Sequence, residues 1–214
     1  MDHREEIIEV ELSHYGRKYD SKRRFLSYWH QIDEAFALNP ASMLEIGIGN
    51  GFVAKYLRDH GLLVTTLDID ERLGPDVVGS VTALPFEEGS FELVMACEIL
   101  EHIPYAEARK GLREIHRVSS RWGIISLPDA TRAARVEFPI PKIGKFRKLF
   151  IIPKLFSPEH TITAHGHHWE IGKKGFPLKK VSGDIERSGF KIIRTYRVFE
   201  NPYHRFFVLQ KKQP

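Results

Sequence analysis

The chain has 214 residues, 42% apolar and 28% charged, which suits one globular domain with a substantial core. Cys97 is the single cysteine, which excludes an internal disulfide and any zinc site that needs two or more thiolates, and fits a reducing compartment. Charge is divided: residues 1–130 hold 14 Lys+Arg against 22 Asp+Glu (−8), and residues 131–214 hold 18 against 6 (+12), which sum to +4. The basic part is therefore where a substrate, a membrane surface or a nucleic acid is expected. No apolar run approaches the ~20 residues that span a bilayer. The acidic start MDHREEIIEVEL lacks the apolar stretch of a secretory signal, so the cytoplasm is the expected location.

Residues 1–40 read as helical, with Phe25, Tyr28, Trp29, Ile32 and Phe36 near helical spacing and Asn39-Pro40 as the stop. The spacing favours aromatics that pack this helix on a sheet. Tyr15 and Tyr19 are alternative contacts to a bound ligand. Strand Met43–Ile48 follows and opens into Gly47, Gly49 and Gly51, ahead of a helix over Phe52–His60. Strand, glycine loop and helix in that order begin a nucleotide-type site, because glycine lets backbone N–H groups approach a ligand closely. Strand Leu63–Leu67 ends at Asp68, placed to accept ribose hydroxyls. The segment after Asp70 is too short for a crossover helix and reads as a turn. A short strand near Val77–Gly79, strand Phe91–Ala96, helix Ala106–Val118 and strand Gly123–Leu127 continue the alternation a parallel sheet requires. After Pro128 it breaks for about 45 residues. It resumes with helix Leu178–Ser188 and strands Phe190–Phe199 and Arg205–Gln210, an antiparallel pair around the Asn201-Pro202 turn.

The stretch from about Ser42 to Pro128 resembles the class I S-adenosylmethionine-dependent methyltransferases. The resemblance rests on EIGIGNG, Asp68, and GSVTALPFEEGSFELVMACEILEHIP (Gly79 to Pro104), which is similar to the small-molecule branch that includes quinone-biosynthesis methyltransferases. It implies an α/β fold, a Rossmann-like seven-stranded mostly parallel sheet with an antiparallel last strand and helices on both faces. One domain over 1–214 would comprise an N-terminal helical cap (1–40), a cofactor-binding core (41–128), an acceptor-side lid (129–176) and a closing helix and strand pair (177–214). S-adenosylmethionine is the implied cofactor. Gly47, Ile48, Gly49, Asn50 and Gly51 would meet its amino-acid portion, Glu45 would sit behind that loop, and Asp68 with Ile69 would hold the ribose. Ser80, Val81 and Thr82 would meet the adenine, although relatives commonly carry an acid where this chain has Ser80. Cys97 and Glu98 would close the site from the fourth strand.

Methyl transfer needs alignment more than acid–base chemistry, and a base only when the acceptor carries a proton. His102 is the candidate base, because imidazole accepts a proton near neutral pH. Its alternative role is to position the following loop. Phe138 to Phe156 mixes aromatics, prolines and Lys/Arg and reads as a lid over an apolar or anionic acceptor, with His165, His167, His168 and Trp169 as substrate contacts. Solvated lysines, peripheral membrane contact and a nucleic-acid groove are the competing readings of that insert. Pro139, Pro141 and Pro153 speak against a long interfacial helix. The expectation is transfer to a small molecule, on oxygen, with a quinone-like, lipid-linked or sugar acceptor and no protein-held metal. The rivals are a Mg-assisted RNA 3′-terminal 2′-O-methyltransferase, which E-x-x-E-H over Glu98–His102 resembles, and a non-catalytic cofactor-binding module.

Overall fold

The computed structural model describes residues 20–142, 144–152, 158–162 and 166–212. Tyr15, Tyr19 and His165 lie outside them. The first helix, α1, runs Lys22–Leu38; the Ser21 hydroxyl caps it by accepting from the Arg24 N–H, and Asn39 ends it in a left-handed turn ahead of Pro40. The core alternates as expected: β1 (Ser42–Ile46), α2 (Phe52–Asp59), β2 (Leu63–Asp68), a 3-10 turn (Glu71–Leu73), β3 (Val77–Val78), β4 (Phe91–Cys97), a second 3-10 turn (Leu100–His102), α3 (Tyr105–Val118) and β5 (Ser119–Pro128). The chain closes with α4 (Leu178–Arg187), β8 (Phe190–Arg197) and β9 (His204–Lys211). Strand β1 ends two residues earlier than expected, because Gly47 takes φ +82 and turns the chain out of the sheet.

Seven strands form one sheet in the order β3-β2-β1-β4-β5-β9-β8. The pairs β1–β2, β1–β4, β2–β3 and β4–β5 are parallel, and β9 runs antiparallel to both β5 and β8. Helices cover both faces, so the central strands are apolar on both sides. Along β4, Leu93 and Met95 pack with Tyr28 and Ala35 of α1 and Val53 and Leu57 of α2. Val94 and Ala96 pack with Leu112 and Ile115 of α3 and Val181 and Ile185 of α4. Of the α1 aromatics only Tyr28 is buried; Phe25, Trp29 and Phe36 stay exposed, so helical spacing marks their shared face without covering it. Among the described residues no helix is long and apolar enough to cross a membrane.

The break after Pro128 contains regular structure. Strands β6 (Ala133–Ile140) and β7 (Gly144–Ile151) pair antiparallel as a separate two-stranded ribbon. Downstream, the chain is stitched to the core. Trp169 is buried and its indole N–H donates to the Leu100 carbonyl, while the His168 N–H donates to the Glu101 carbonyl. Where β5 ends, Asp129 is buried beneath two arginines: Arg205 Nε donates to its carboxylate at 2.8 Å, and Arg197 Nη2 donates to the Thr131 carbonyl at 2.7 Å. This cluster fixes the β8–β9 turn against the end of the central strand.

Candidate functional site

The ends of β1, β2 and β4 lie side by side, and there the chain gathers its buried acids. The glycine loop after β1 needs glycine for steric reasons: Gly47, Gly49 and Gly51 have φ of +82, +55 and +72, and a Cβ on Gly47 would lie 2.0 Å from Ile99 Cδ1. Asp68 holds the loop. Its Oδ2 accepts from the Ile48 N–H at 2.9 Å and its Oδ1 from the Asp70 N–H at 3.0 Å. Burial raises the Asp68 carboxyl above its ordinary value despite those bonds. Asn50 ties the same loop to the entry of α1, its amide donating to Asp20 Oδ1 at 2.7 Å.

Glu45 sits behind the loop on β1, buried, with Oε2 lacking a hydrogen-bond partner. Burial pushes its carboxyl up to about 8, against the pull of Arg58 and a hydrogen bond from the Ala54 N–H in the first turn of α2. A buried acid with a spare oxygen under a glycine loop fits a ligand that brings an ammonium group. The residues therefore suit a nucleoside-type cofactor with an amino-acid tail. Cys97 follows on β4, where burial pushes its thiol well above the ordinary value and keeps it protonated. Glu98 is a non-glycine residue at φ +56, a conformation that costs about 1–2 kcal/mol. The Ser126 hydroxyl donates to Glu98 Oε1 at 2.8 Å, and His204 Nε2 stands 3.7 Å from Oε2.

A second group adjoins it. Glu101 is fully buried and neither carboxyl oxygen has a hydrogen-bond partner; burial, and then the Glu98 charge, raise it well above the carboxylate range. The His102 and His167 rings meet edge to face with centroids 5.0 Å apart. One ligand atom from each of Glu101, His102 and His167 falls within 4.8 Å of the others, an arrangement that could hold a divalent cation. His167 Nδ1 donates to Glu170 Oε1 at 3.0 Å, and the Tyr203 hydroxyl donates to the same oxygen at 2.6 Å. Burial opposes ionisation of Glu170, yet these two donors bring it below the usual carboxylate range.

Most expected residues converge here, with differences. Trp169 is buried in the core against Tyr105. His167 reaches the site, while His168 contributes its backbone N–H to Glu101. The Val81 side chain is buried against Gly111, and the Thr82 N–H is taken by the Ser80 hydroxyl at 3.2 Å, so this loop is stabilised internally. Asp20, Glu170, Tyr203 and His204 were not foreseen. Glu170 alone left a local signal, standing three residues after His167. A hollow of about 220 Å³ beside the group is lined by Ser21, Arg23, Arg24, Asn201, Tyr203 and His204. The larger hollow, about 700 Å³, opens at the opposite strand ends around Ser42, Ser120 and Lys191 and holds none of these groups.

Residues 44–127 match a family model described as a methyltransferase domain. A demethylmenaquinone methyltransferase from Renibacterium salmoninarum is 27% identical over 167 residues, covering 70% of this chain and 66% of that protein. The aligned stretch thus spans less than two thirds of the relative's own length. Two solved structures share the fold at 16% identity each. The magnesium protoporphyrin IX methyltransferase of Synechocystis, with bound S-adenosylmethionine, has a TM-score of 0.62 over 98% of this chain and 95% of that chain. The 1,6-didemethyltoxoflavin-N1-methyltransferase of Burkholderia thailandensis, with its substrate and S-adenosylhomocysteine bound, has a TM-score of 0.60 over 99% of this chain and 87% of that chain.

Proposed function

We propose that this chain, built on a class I S-adenosylmethionine-dependent methyltransferase domain, methylates a small-molecule acceptor on oxygen. The observation that carries this reading is the convergence of the orphaned Glu45 carboxyl, the glycine loop and Asp68 on adjacent strand ends. When bound, the cofactor supplies a methyl group already activated by its sulfonium, so the protein's task is mainly alignment. Glu45 would hold the cofactor ammonium in its ionised form. Asp68 accepts from the Ile48 and Asp70 N–H groups, with Ile69 as a third backbone partner, and its remaining acceptor capacity would hold a ribose hydroxyl. His102, half-buried on the turn after β4, takes the acceptor's proton. A reduced, hydroxyl-bearing quinone-like acceptor suits the relation to the demethylmenaquinone enzyme, and lipid-linked or sugar hydroxyls make the same demand on His102.

The test uses radiolabelled cofactor with a panel of hydroxylated quinones and phenols. His102→Ala should lower turnover about 100-fold or more while leaving cofactor affinity intact. Unchanged turnover removes His102 as the base. Saturable cofactor uptake without transfer to any acceptor would mark a non-catalytic binding module, and absence of uptake would end the reading altogether.

A second reading has its own observation, the grouping of Glu101, His102 and His167. A divalent cation there would lower the pKa of an acceptor hydroxyl, and His102 would then be a ligand rather than a base. Two imidazoles and one carboxylate suit zinc, iron or manganese better than magnesium. Activity lost on dialysis against a chelator and restored by manganese or zinc would select this reading. Activity indifferent to chelation would select the first. RNA as the acceptor would further require activity on a 3′-terminal ribose that blocking that ribose abolishes.

A further inference from the structure

The ribbon β6–β7 has two chemically different faces. In its antiparallel register Ala134 pairs with Phe150, Val136 with Lys148 and Phe138 with Phe146, and paired residues share one side of a two-stranded sheet. The alternate pairs are Arg135 with Leu149, Glu137 with Arg147 and Pro139 with Lys145. The second, polar side is engaged. Lys145 and Arg147 pair with Glu137, Arg147 reaches Glu200 Oε1 at 3.0 Å, and Arg135 donates to the Glu200 carbonyl at 2.7 Å. These bonds pin the ribbon to the β8–β9 turn, which matters because a lone two-stranded hairpin is barely stable. The first side faces solvent, with Phe138 at 47%, Phe146 at 37% and Phe150 at 45% exposure.

We infer that this phenylalanine face docks the protein on an anionic lipid surface. Charge selects the occupant. The first side carries Lys148 and no acid, and residues 132–152 as a whole hold six Lys+Arg against one Glu, three of them paired on the second side, so a second copy would be repelled while acidic headgroups would be attracted. Lys148 lies on the apolar side with its ammonium 5.1 Å from the Phe150 ring centroid, an amphipathic residue at the rim of an aromatic patch. Lys142 stands exposed at the tip, in the turn between the strands. A partner strand would be poorly received at the ribbon's edges, because Pro139 removes a backbone donor and the lysines repel close pairing. Eight-residue strands give the ribbon a length of roughly 26 Å, enough to lay several rings into the headgroup boundary.

Sedimentation of the full-length protein with phosphatidylcholine vesicles, with and without phosphatidylglycerol, tests this. Binding should require the anionic lipid and weaken with salt. Because each basic residue near such a surface is worth about five-fold in partition, Lys142→Glu with Lys148→Glu should reduce binding at least about 25-fold. Phe138→Ser with Phe146→Ser should reduce it at least about 10-fold. Circular dichroism and cofactor binding check that each variant is folded; the lysine pair, being exposed, keeps the test open if the phenylalanine pair unfolds. Absence of binding at low salt, or equal binding by wild type and the lysine variant, overturns the inference. A wild-type dimer in velocity sedimentation that the phenylalanine variant turns monomeric would overturn it in favour of a second copy.

Discussion

Replacing Glu45 by glutamine tests the electrostatics beneath the glycine loop without cutting away volume. In the native protein the Glu45 carboxyl titrates at about 8, against an ordinary value of 4.5. Between those limits the folded protein keeps a proton that the unfolded chain has released, so stability must fall as pH rises. The contribution is complete below pH 4.5, is lost progressively toward pH 8, and is constant above it. The slope is about 1.4 kcal/mol per pH unit, so between pH 5 and 7 wild type should lose about 3 kcal/mol through this one group. Glutamine cannot titrate. The difference between wild type and Glu45→Gln in urea unfolding should therefore shift toward the variant by about that amount across the window. Glu101, also raised by burial, acts alike in both proteins and cancels in the difference, whereas Asp68, whose charge helps to raise Glu45, cancels only in part. Saturating S-adenosylhomocysteine should flatten the wild-type slope, because its ammonium favours the ionised acid. Parallel pH profiles for the two proteins, within about 0.5 kcal/mol, would refute the claim that Glu45 is buried and protonated.

Two further substitutions probe the same strand ends. Gly47→Ala should destabilise by about 2–4 kcal/mol in urea unfolding, since the positive φ and the Ile99 contact both penalise a Cβ. Adding Ile99→Ala should relieve the steric share, and no recovery in the double variant would count against that contact. Asp68→Ala should weaken cofactor binding at least about ten-fold by calorimetry and cost about 1–3 kcal/mol of stability, because two backbone donors lose their acceptor. Unchanged affinity would remove Asp68 from the ribose site.

The parallel core was legible because its strands are buried on both sides and read as unbroken apolar runs separated by glycine, proline and asparagine. The end of the second strand was legible for a related reason: its apolar run stops at Asp68. The ribbon was missed because its prolines break helical periodicity, while Arg135, Val136, Glu137 and Phe138 alternate with the period of a strand. Trp169 carried no mark distinguishing a core residue from a ligand contact; its place depends on the Leu100 carbonyl, 69 residues earlier. Tyr203 and His204 were invisible for the same physical reason. A tight turn brings them to Glu170 and Glu98 only once β9 has inserted between β5 and β8.

That late insertion divides the site by origin. The groups assigned to the methyl donor come from one continuous stretch, Glu45 to Glu98, whereas His167, Glu170, Tyr203 and His204 arrive from the far end of the chain. Among the described residues, the two halves meet at Glu98, Leu100, Glu101 and His102. On the proposed assignment, changes beyond residue 160 would retune which molecule is modified while leaving the groups proposed to grip the donor in place, and natural variation in chemistry would be expected to accumulate on that side.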